Sequence, residues 1–318
     1  MSTRIVAGID IGGTNTKYGL VDEFGRILVH DKVITGDYER ADDFAKELTR
    51  LILDKKNSIE GADLLGVGIG SPNGNYYSGT VEFAPNLPWK GMVPLVKYFK
   101  QEIDLPVTLT NDAKAGALGE MIFGGARKMK HFIFITLGTG LGSGIVSNGS
   151  LVYGHDGFAG EMGHTIIEEN GRPCGCGRKG CLEQYVSATG IKKTYLEILE
   201  KSGQAGNIDP ESVDSRHIFE KARGGDEAAR ESFEITGHRL GLALANSMCY
   251  LSPEAIFLFG GLAQSGDMIL EPTRRHFENN LLKVYEGKTN ILLSSLKESD
   301  AAILGAASLI WTELKKFP

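Results

Sequence analysis

The sequence predicts an α/β protein built from two similar domains. Three observations carry that prediction. Short apolar runs rich in β-branched residues alternate with stretches of helical spacing, the pattern of strands layered under helices. A strand, glycine turn, strand unit occurs twice: a shift of 125 residues lays Gly13 on Gly138 and Gly19-Leu20-Val21 on Gly144-Ile145-Val146. The 42 glycines cluster in short apolar contexts, as tight turns beside strands rather than as linker. Two such domains would face each other across a cleft, each offering a glycine turn to one ligand.

The first strand is expected at 4–11 and runs into Asp10-Ile11-Gly12-Gly13-Thr14-Asn15-Thr16-Lys17. Strands at 17–21 and 26–32, joined by a turn at 22–25, complete a β-meander. Paired glycines in the first turn leave backbone N–H groups free to face an anion. Thr14 and Thr16 add hydroxyls, and Asp10 can orient a hydrated magnesium ion.

Apolar residues at 44, 45, 48, 51 and 52 give 41–56 helical spacing, and 64–70 reads as a buried strand. The stretch 71–89 is loop-rich, with three prolines; its Asn73, Asn75 and Asn86 are turn formers that can also hold hydroxyls. A helix near 93–101 and a strand at 107–110 lead to Asn111-Asp112, then a helix at 113–123. A carboxylate between a strand's C-terminal end and a helix start lies at the ligand edge of an α/β sheet. It equally suits a helix cap, and local sequence leaves both readings of Asp112 open.

The second half repeats the first. A strand at 131–137 enters the turn Gly138-Thr139-Gly140-Leu141-Gly142, and the next hairpin matches one residue out of glycine register. Neither turn reads GxGxxG or GxxxxGK[ST], so neither a dinucleotide fold nor a P-loop is indicated. Helices are expected at 182–200, 215–223, 226–251 and 302–314, the last packing back on the first domain, with Cys249 in the core and a surface loop at 203–210. A buried strand at 255–259 ends in Gly260-Gly261, a third glycine turn.

Between the turn and the first of these helices lies the densest cluster of chemistry. Three of the four cysteines, Cys174, Cys176 and Cys181, fall within eight residues, and His164 precedes them by ten. Three thiolates and an imidazole complete a tetrahedral zinc shell, and four protein ligands mean a structural ion that pins a loop. Glycines at 175, 177 and 180 let the backbone turn inward. Polar Glu161, His164 and Glu183 mark the loop's two ends.

Composition narrows the class. With 318 residues, 42% hydrophobic and 23% charged, the chain can build two sizeable cores. The net charge of −6 argues against a nucleic-acid surface. No apolar run approaches a membrane span, and the N-terminus lacks the features of a secretory signal. Metal-binding thiols fit a reducing, cytoplasmic compartment.

With DIGGTNTK, ND, LGTGLGSG, the HxxxxxxxxxCxCxxxxC loop and a late GG in order, the whole chain resembles the ROK family of repressors and kinases. The resemblance implies the actin/hexokinase-like (ribonuclease H-like) fold: duplicated α/β domains with an interdomain active-site cleft for ATP and a sugar. It places one domain at 1–112 plus a C-terminal helix at about 302–318, and the other at 113–301. Asp10, Gly12, Gly13, Thr14 and Lys17 match the first phosphate-binding motif; Gly138, Thr139 and Gly140 match the second; Gly260 and Gly261 match the adenosine-side turn. Asp112 matches the catalytic base. Asn111, Glu161, His164 and Glu183 match sugar ligands, with Asn86 and Gly74 added from the 71–89 loop, where this chain reads SPNGN. His164 would serve twice, toward zinc and toward sugar.

The implied activity is an ATP- and magnesium-dependent hexose kinase acting on the 6-hydroxyl. APNLPW and CGCGRKGCLEQY look most like the glucokinases of the family. N-acetylhexosamine kinases (for N-acetylglucosamine or N-acetylmannosamine) and fructokinases share nearly all of the motifs. Regulators of the family carry an N-terminal helix-turn-helix, for which a first strand at residue 4 leaves no room. A sugar sensor would be expected to lose the Asp112 carboxylate. The family also implies a homo-oligomer, a dimer or tetramer.

Overall fold

The computed structural model describes residues 3–204, 206 and 209–316, the last without its side chain. Parts of two expected segments, residues 205, 207 and 208 of the surface loop and residues 317–318 at the C-terminus, lie outside the described residues. In chain order the elements are β1 (Thr3–Ile11), β2 (Asn15–Asp22), β3 (Ile27–Ile34), α1 (Ala41–Asn57), β4 (Ala62–Ser71), β5 (Gly74–Asn75), β6 (Thr80–Glu82), β7 (Met92–Val93), α2 (Leu95–Glu102), β8 (Val107–Asn111) and α3 (Asp112–Ile122). Then follow β9 (Phe132–Leu137), β10 (Leu141–Ser147), β11 (Ser150–Leu151), α4 (Ala188–Lys201), α5 (Ser215–Arg223), α6 (Glu227–Leu251), β12 (Ala255–Phe259), α7 (Asp267–Asn279), β13 (Asn290–Leu293) and α8 (Glu298–Lys316).

The chain forms two compact units. The first comprises Met1–Met129, Leu151–Ala159 and Ser295–Pro318; the second comprises Lys130–Ser150 and Gly160–Ser294. Each holds a five-stranded sheet, ordered β3-β2-β1-β4-β8 in the first and β11-β10-β9-β12-β13 in the second. In both, the second strand runs antiparallel to the first, and two later strands add parallel on its other side. That shared order is the architectural form of the repeat in the sequence.

In the first unit, α1 and α2 cover one sheet face with Phe44, Leu48, Ile52, Leu95 and Phe99 against Ile5, Ile9 and Ile69. On α8's side the sheet is lined with glycine. A Cβ on Gly8 would strike the Ile303 carbonyl and one on Gly68 the Ala306 carbonyl, so α8 lies directly on strand backbone. Gly119 and Gly305 let α3 and α8 approach the same way, with 3.1 Å from a Cβ on Gly119 to the Gly305 Cα. This contact keeps α3 in the first unit, where the sequence reading opened the second domain at residue 113.

In the second unit, α4 and α6 bury Tyr195, Phe233, Leu240 and Leu244 against Ile133, Ile135 and Ile256. Cys249 is exposed, against the expectation of a core residue. It shares a helix face with exposed His238 and Asn246, and the buried row passes through Leu244 and Met248 instead. The helix expected at 182–200 is two pieces, a 3-10 turn at Leu182–Gln184 and α4, because Ser187 turns back to cap α4 by accepting from Gly190 N. Among the described residues, no helix is long and apolar enough to cross a membrane.

Candidate active site

In the first unit, three parallel strands, β1, β4 and β8, bring their C-terminal ends together. Asp10 on β1 pairs with Gly70 on β4, and Ser71 pairs with Asn111 on β8. Gly70 makes the space: a Cβ there would lie 3.6 Å from the Asp112 Cα and 3.8 Å from Asp10 Oδ1. Two carboxylates therefore share one sheet edge. Burial and the neighbouring Asp112 push the Asp10 carboxyl up to about 7, against the pull of Lys17, its cross-strand partner.

Asn111, not Asp112, is the N-cap of α3. Its Oδ1 accepts from Ala113 N at 3.0 Å and from Lys114 N at 3.3 Å. Asp112 is thereby left at the helix's first position, its surface open to solvent. Densely surrounding protein raises its carboxyl above the usual range, while the Ala113 N–H and the Lys114 charge pull the other way.

The first glycine turn is braced from behind. Gly12 N donates to Asn15 O at 3.0 Å, Thr35 N to Thr14 O at 3.0 Å, and the Thr35 hydroxyl to Gly12 O at 2.7 Å. Thr16 is fully buried against the Thr35 hydroxyl at 3.0 Å, so its expected part as a ligand hydroxyl is not available. Gly13, Thr14 and Lys17 are exposed. Asn86 reaches this turn with its backbone, 2.7 Å from a Cβ on Gly13, and its side chain is exposed. Buried Ala84, Leu87 and Trp89 anchor its loop, with the Trp89 indole N–H donating to Tyr38 O at 3.0 Å.

Gly74 is buried, and a Cβ on it would lie 2.5 Å from the Thr110 carbonyl. It lets the loop close on β8 and does not itself face outward. Asn73 and Asn75 spend their amides inside the protein, donating to the Glu82 carbonyl and to the Glu82 carboxylate.

In the second unit, the turn 138–142 is held by its carbonyls. Ala188 N donates to Gly138 O at 2.8 Å and the Thr189 hydroxyl to Thr139 O at 2.7 Å. The Glu183 carboxylate lies over the turn and accepts from Leu141 N at 3.0 Å; a Cβ on Gly140 would run into it. Gly260, at φ +98°, ends β12 with 2.9 Å from its would-be Cβ to Leu137 O, and Gly261 faces open space.

His164, Cys174, Cys176 and Cys181 converge, all four donor atoms lying within 4.8 Å of one another. His164 Nδ1 is 3.7 Å from Cys174 Sγ, and the Cys176 and Cys181 sulfurs are 3.6 Å apart. A tetrahedral ion with metal–sulfur bonds of about 2.3 Å needs ligand atoms about 3.7 Å apart, so the set fits four-coordination. Burial and the adjacent thiols push Cys181 up to about 12. Burial opposes ionisation of Cys176 too, but the Arg178 N–H and guanidinium overcome it and bring that thiol down to about 6. Glu161 caps the short turn that carries His164, and the Ser143 hydroxyl holds the Gly160 carbonyl beside it.

Sequence reasoning missed the residues that organise these sites. Arg172 bonds the Gln184 and Gly190 carbonyls and pairs with Glu197 at 2.7 Å, folding the cysteine loop onto α4. Lys114, the one basic residue of α3, is almost fully buried. That single basic residue was the available signal.

Comparison with known proteins covers nearly the whole chain. The model of the ROK family matches residues 6–313. The glucokinase of Thermotoga maritima is 36% identical over 95% of this chain and 96% of its own. The glucokinase of Halalkalibacterium halodurans is 36% identical over 98% of this chain and 96% of its own. Among solved structures, a ROK family glucokinase from Streptomyces griseus in complex with glucose and AMPPNP aligns with a TM-score of 0.79 and 34% identity, covering 96% of this chain and 98% of that one. The matched segment takes in both repeated sheets, both glycine turns and the cysteine loop: this chain belongs to the ROK family and has its duplicated actin/hexokinase-like α/β fold.

Proposed function

We propose that the protein is an ATP-dependent hexose kinase, acting on glucose in the cytoplasm. The observation that carries the reading is Asp112: an open carboxylate at a strand end, its proton affinity raised, while Asn111 beside it does the capping. Asp112 accepts the proton of the sugar 6-hydroxyl as that oxygen bonds the γ-phosphorus and the bond to ADP breaks. A non-catalytic sugar-sensing regulator would have no use for such a base.

The other roles follow the chemistry of each unit. In the first, the N–H groups at Gly13 and Thr14, with Lys17, hold phosphate oxygens, Gly12 closes the turn through its N–H to Asn15 O, and Asp10 would orient hydrated magnesium, which neutralises phosphate charge when bound. Asn111 and Asn86 hold sugar hydroxyls, and Gly74 keeps the 71–89 loop against β8. In the second, Gly138, Thr139 and Gly140 offer the second phosphate turn, Gly260 and Gly261 the adenosine side, and Glu161, His164 and Glu183 the sugar hydroxyls. The Cys174, Cys176, Cys181 and His164 set holds a structural zinc ion. His164 Nδ1 faces the Cys174 sulfur, so that nitrogen would hold the ion and leave Nε2 for the sugar.

Release of ADP, assayed over a panel of hexoses and N-acetylhexosamines, tests the reading. Glucose should give the highest kcat/KM; a preference for fructose, N-acetylglucosamine or N-acetylmannosamine would move the protein to another kinase of the family. Asp112→Asn should bind glucose within about threefold of the wild type and lose about 10³-fold or more in kcat. Near-normal turnover in that variant would refute the assignment of the base.

A further inference from the structure

Residues 151–159 belong to the first unit, although the chain on both sides of them, 130–150 and 160–294, belongs to the second. Apart from Leu151 at the end of β11, this strap has no regular secondary structure. Side chains reach out to hold it. Asn75, buried, donates Nδ2 to the Asp156 carbonyl at 2.9 Å. Lys114, 1% exposed, donates Nζ to the Gly157 carbonyl at 3.1 Å. The Tyr77 hydroxyl donates to Gly154 O at 3.0 Å, and Tyr153 stacks on Tyr76 with ring centroids 4.2 Å apart. Gly157, at φ +93°, comes so close that a Cβ on it would lie 2.6 Å from Asn75 Oδ1.

Burying an ammonium is costly unless it is hydrogen-bonded in a fixed geometry. Here it is spent on the backbone of an irregular segment. Lys114 is the third residue of α3, two after Asp112, so one side chain joins the first turn of the base-bearing helix to the strap. The strap ends at Ala159, and Glu161 stands two residues further on, after Gly160. The chain that carries a sugar-gripping carboxylate is thus anchored, immediately before it, to the helix that carries the base.

We propose that Lys114 and Asn75 form a latch that fixes the 151–159 strap and sets affinity for the sugar without touching it. They are positioning residues, and the proposal rests on the sugar-kinase reading. In Asn75→Ala, the glucose KM should rise about tenfold while kcat and the ATP KM stay within about threefold, since only pre-organisation of the sugar site is lost; Lys114→Met should raise the glucose KM likewise, with kcat free to shift because that charge also acts on Asp112. In both variants, amides 153–159 should lose hydrogen-exchange protection in the sugar-free protein. The double variant should raise KM by less than the product of the singles, because both residues hold one strap.

Tyr77→Phe removes one bond from an exposed ring and leaves the buried pair intact. It should raise KM about twofold, and it carries the test if the buried variants fail to fold. Unchanged protection at 153–159, an unchanged glucose KM, or a fall in kcat with KM constant would each overturn the latch. The exchange measurement needs no substrate. A protein inactive on every hexose would therefore sink the functional reading, while the strap result is decided separately.

Discussion

The two glycine turns are copies of one strand-turn-strand unit, yet they are braced in opposite ways. The first is supported from behind by the Thr16 and Thr35 hydroxyls, and the carboxylates nearest its sheet edge, Asp10 and Asp112, are both held above their ordinary proton affinity. The second is overlaid by a carboxylate, Glu183, already committed to the Leu141 N–H, and its carbonyls are taken by the start of α4. Both carboxylates accept a backbone N–H, Asp112 from Ala113 at 2.8 Å and Glu183 from Leu141 at 3.0 Å; what separates them is burial, which raises the proton affinity of Asp112 despite its donor. Duplication supplied two equal frames, and under the proposed function the side chains around them divide the work into reacting and gripping.

The largest expected effect is the split between Asp112 and Glu183. Loss of the base should appear almost wholly in kcat, as set out above. Glu183→Gln should raise the sugar KM about 10- to 100-fold with kcat within about tenfold. Steady-state kinetics of the two variants side by side tests the division, and a kcat-dominated loss in Glu183→Gln would erase it. Next in size is the cysteine cluster. On the proposed zinc assignment, treatment with a chelator should loosen residues 161–183, release one equivalent of zinc and raise the glucose KM about tenfold. Metal analysis beside kinetics checks this, and unchanged kinetics in zinc-free protein would refute it.

Smaller still is the effect of one methyl group. Gly140→Ala should displace the Glu183 carboxylate and raise the sugar KM several-fold, whereas Gly138→Ala, with nothing within 4 Å of the added carbon, should be close to neutral. Equal effects in the two variants would mean that the second turn is not gripped as described.

The smallest effect is on stability. Asp10 holds a proton in the folded protein up to about 7, while the unfolded chain gives it up near 3.8. The native state therefore binds more protons across that window, and stability falls as pH rises through it. Asp10→Asn removes the penalty. It should raise the Tm of the ligand-free protein at pH 8 and leave it almost unchanged near pH 3.

Much of this could be read from residues close together in the chain. The strands entering 12–13 and 138–142, the Asn111-Asp112 pair after a strand and the Cys174, Cys176, Cys181 spacing are local patterns, and the structure contains each where the pattern lies. What escaped depends on distant partners. Thr16 looks like a ligand until Thr35 is found against it, nineteen residues on. Cys249 looks like core until the register of α6 is known. The strap carries no periodicity, and only the reach of Asn75 and Lys114 reveals which unit it joins. The small sheet β5-β6-β7 has strands of two or three residues, too short for alternation to show, and α7 is masked by Pro272 in its interior.

The glycine-lined face under α8 has a consequence for how the polypeptide is made. β1 leaves the ribosome about 300 residues before the helix that covers its bare backbone. At elongation rates of about 5–20 residues per second, that face waits tens of seconds for its cover. The first unit is thus the last to be completed, and nascent chains stalled before residue 298 should depend on holdase chaperones that the finished protein does not need.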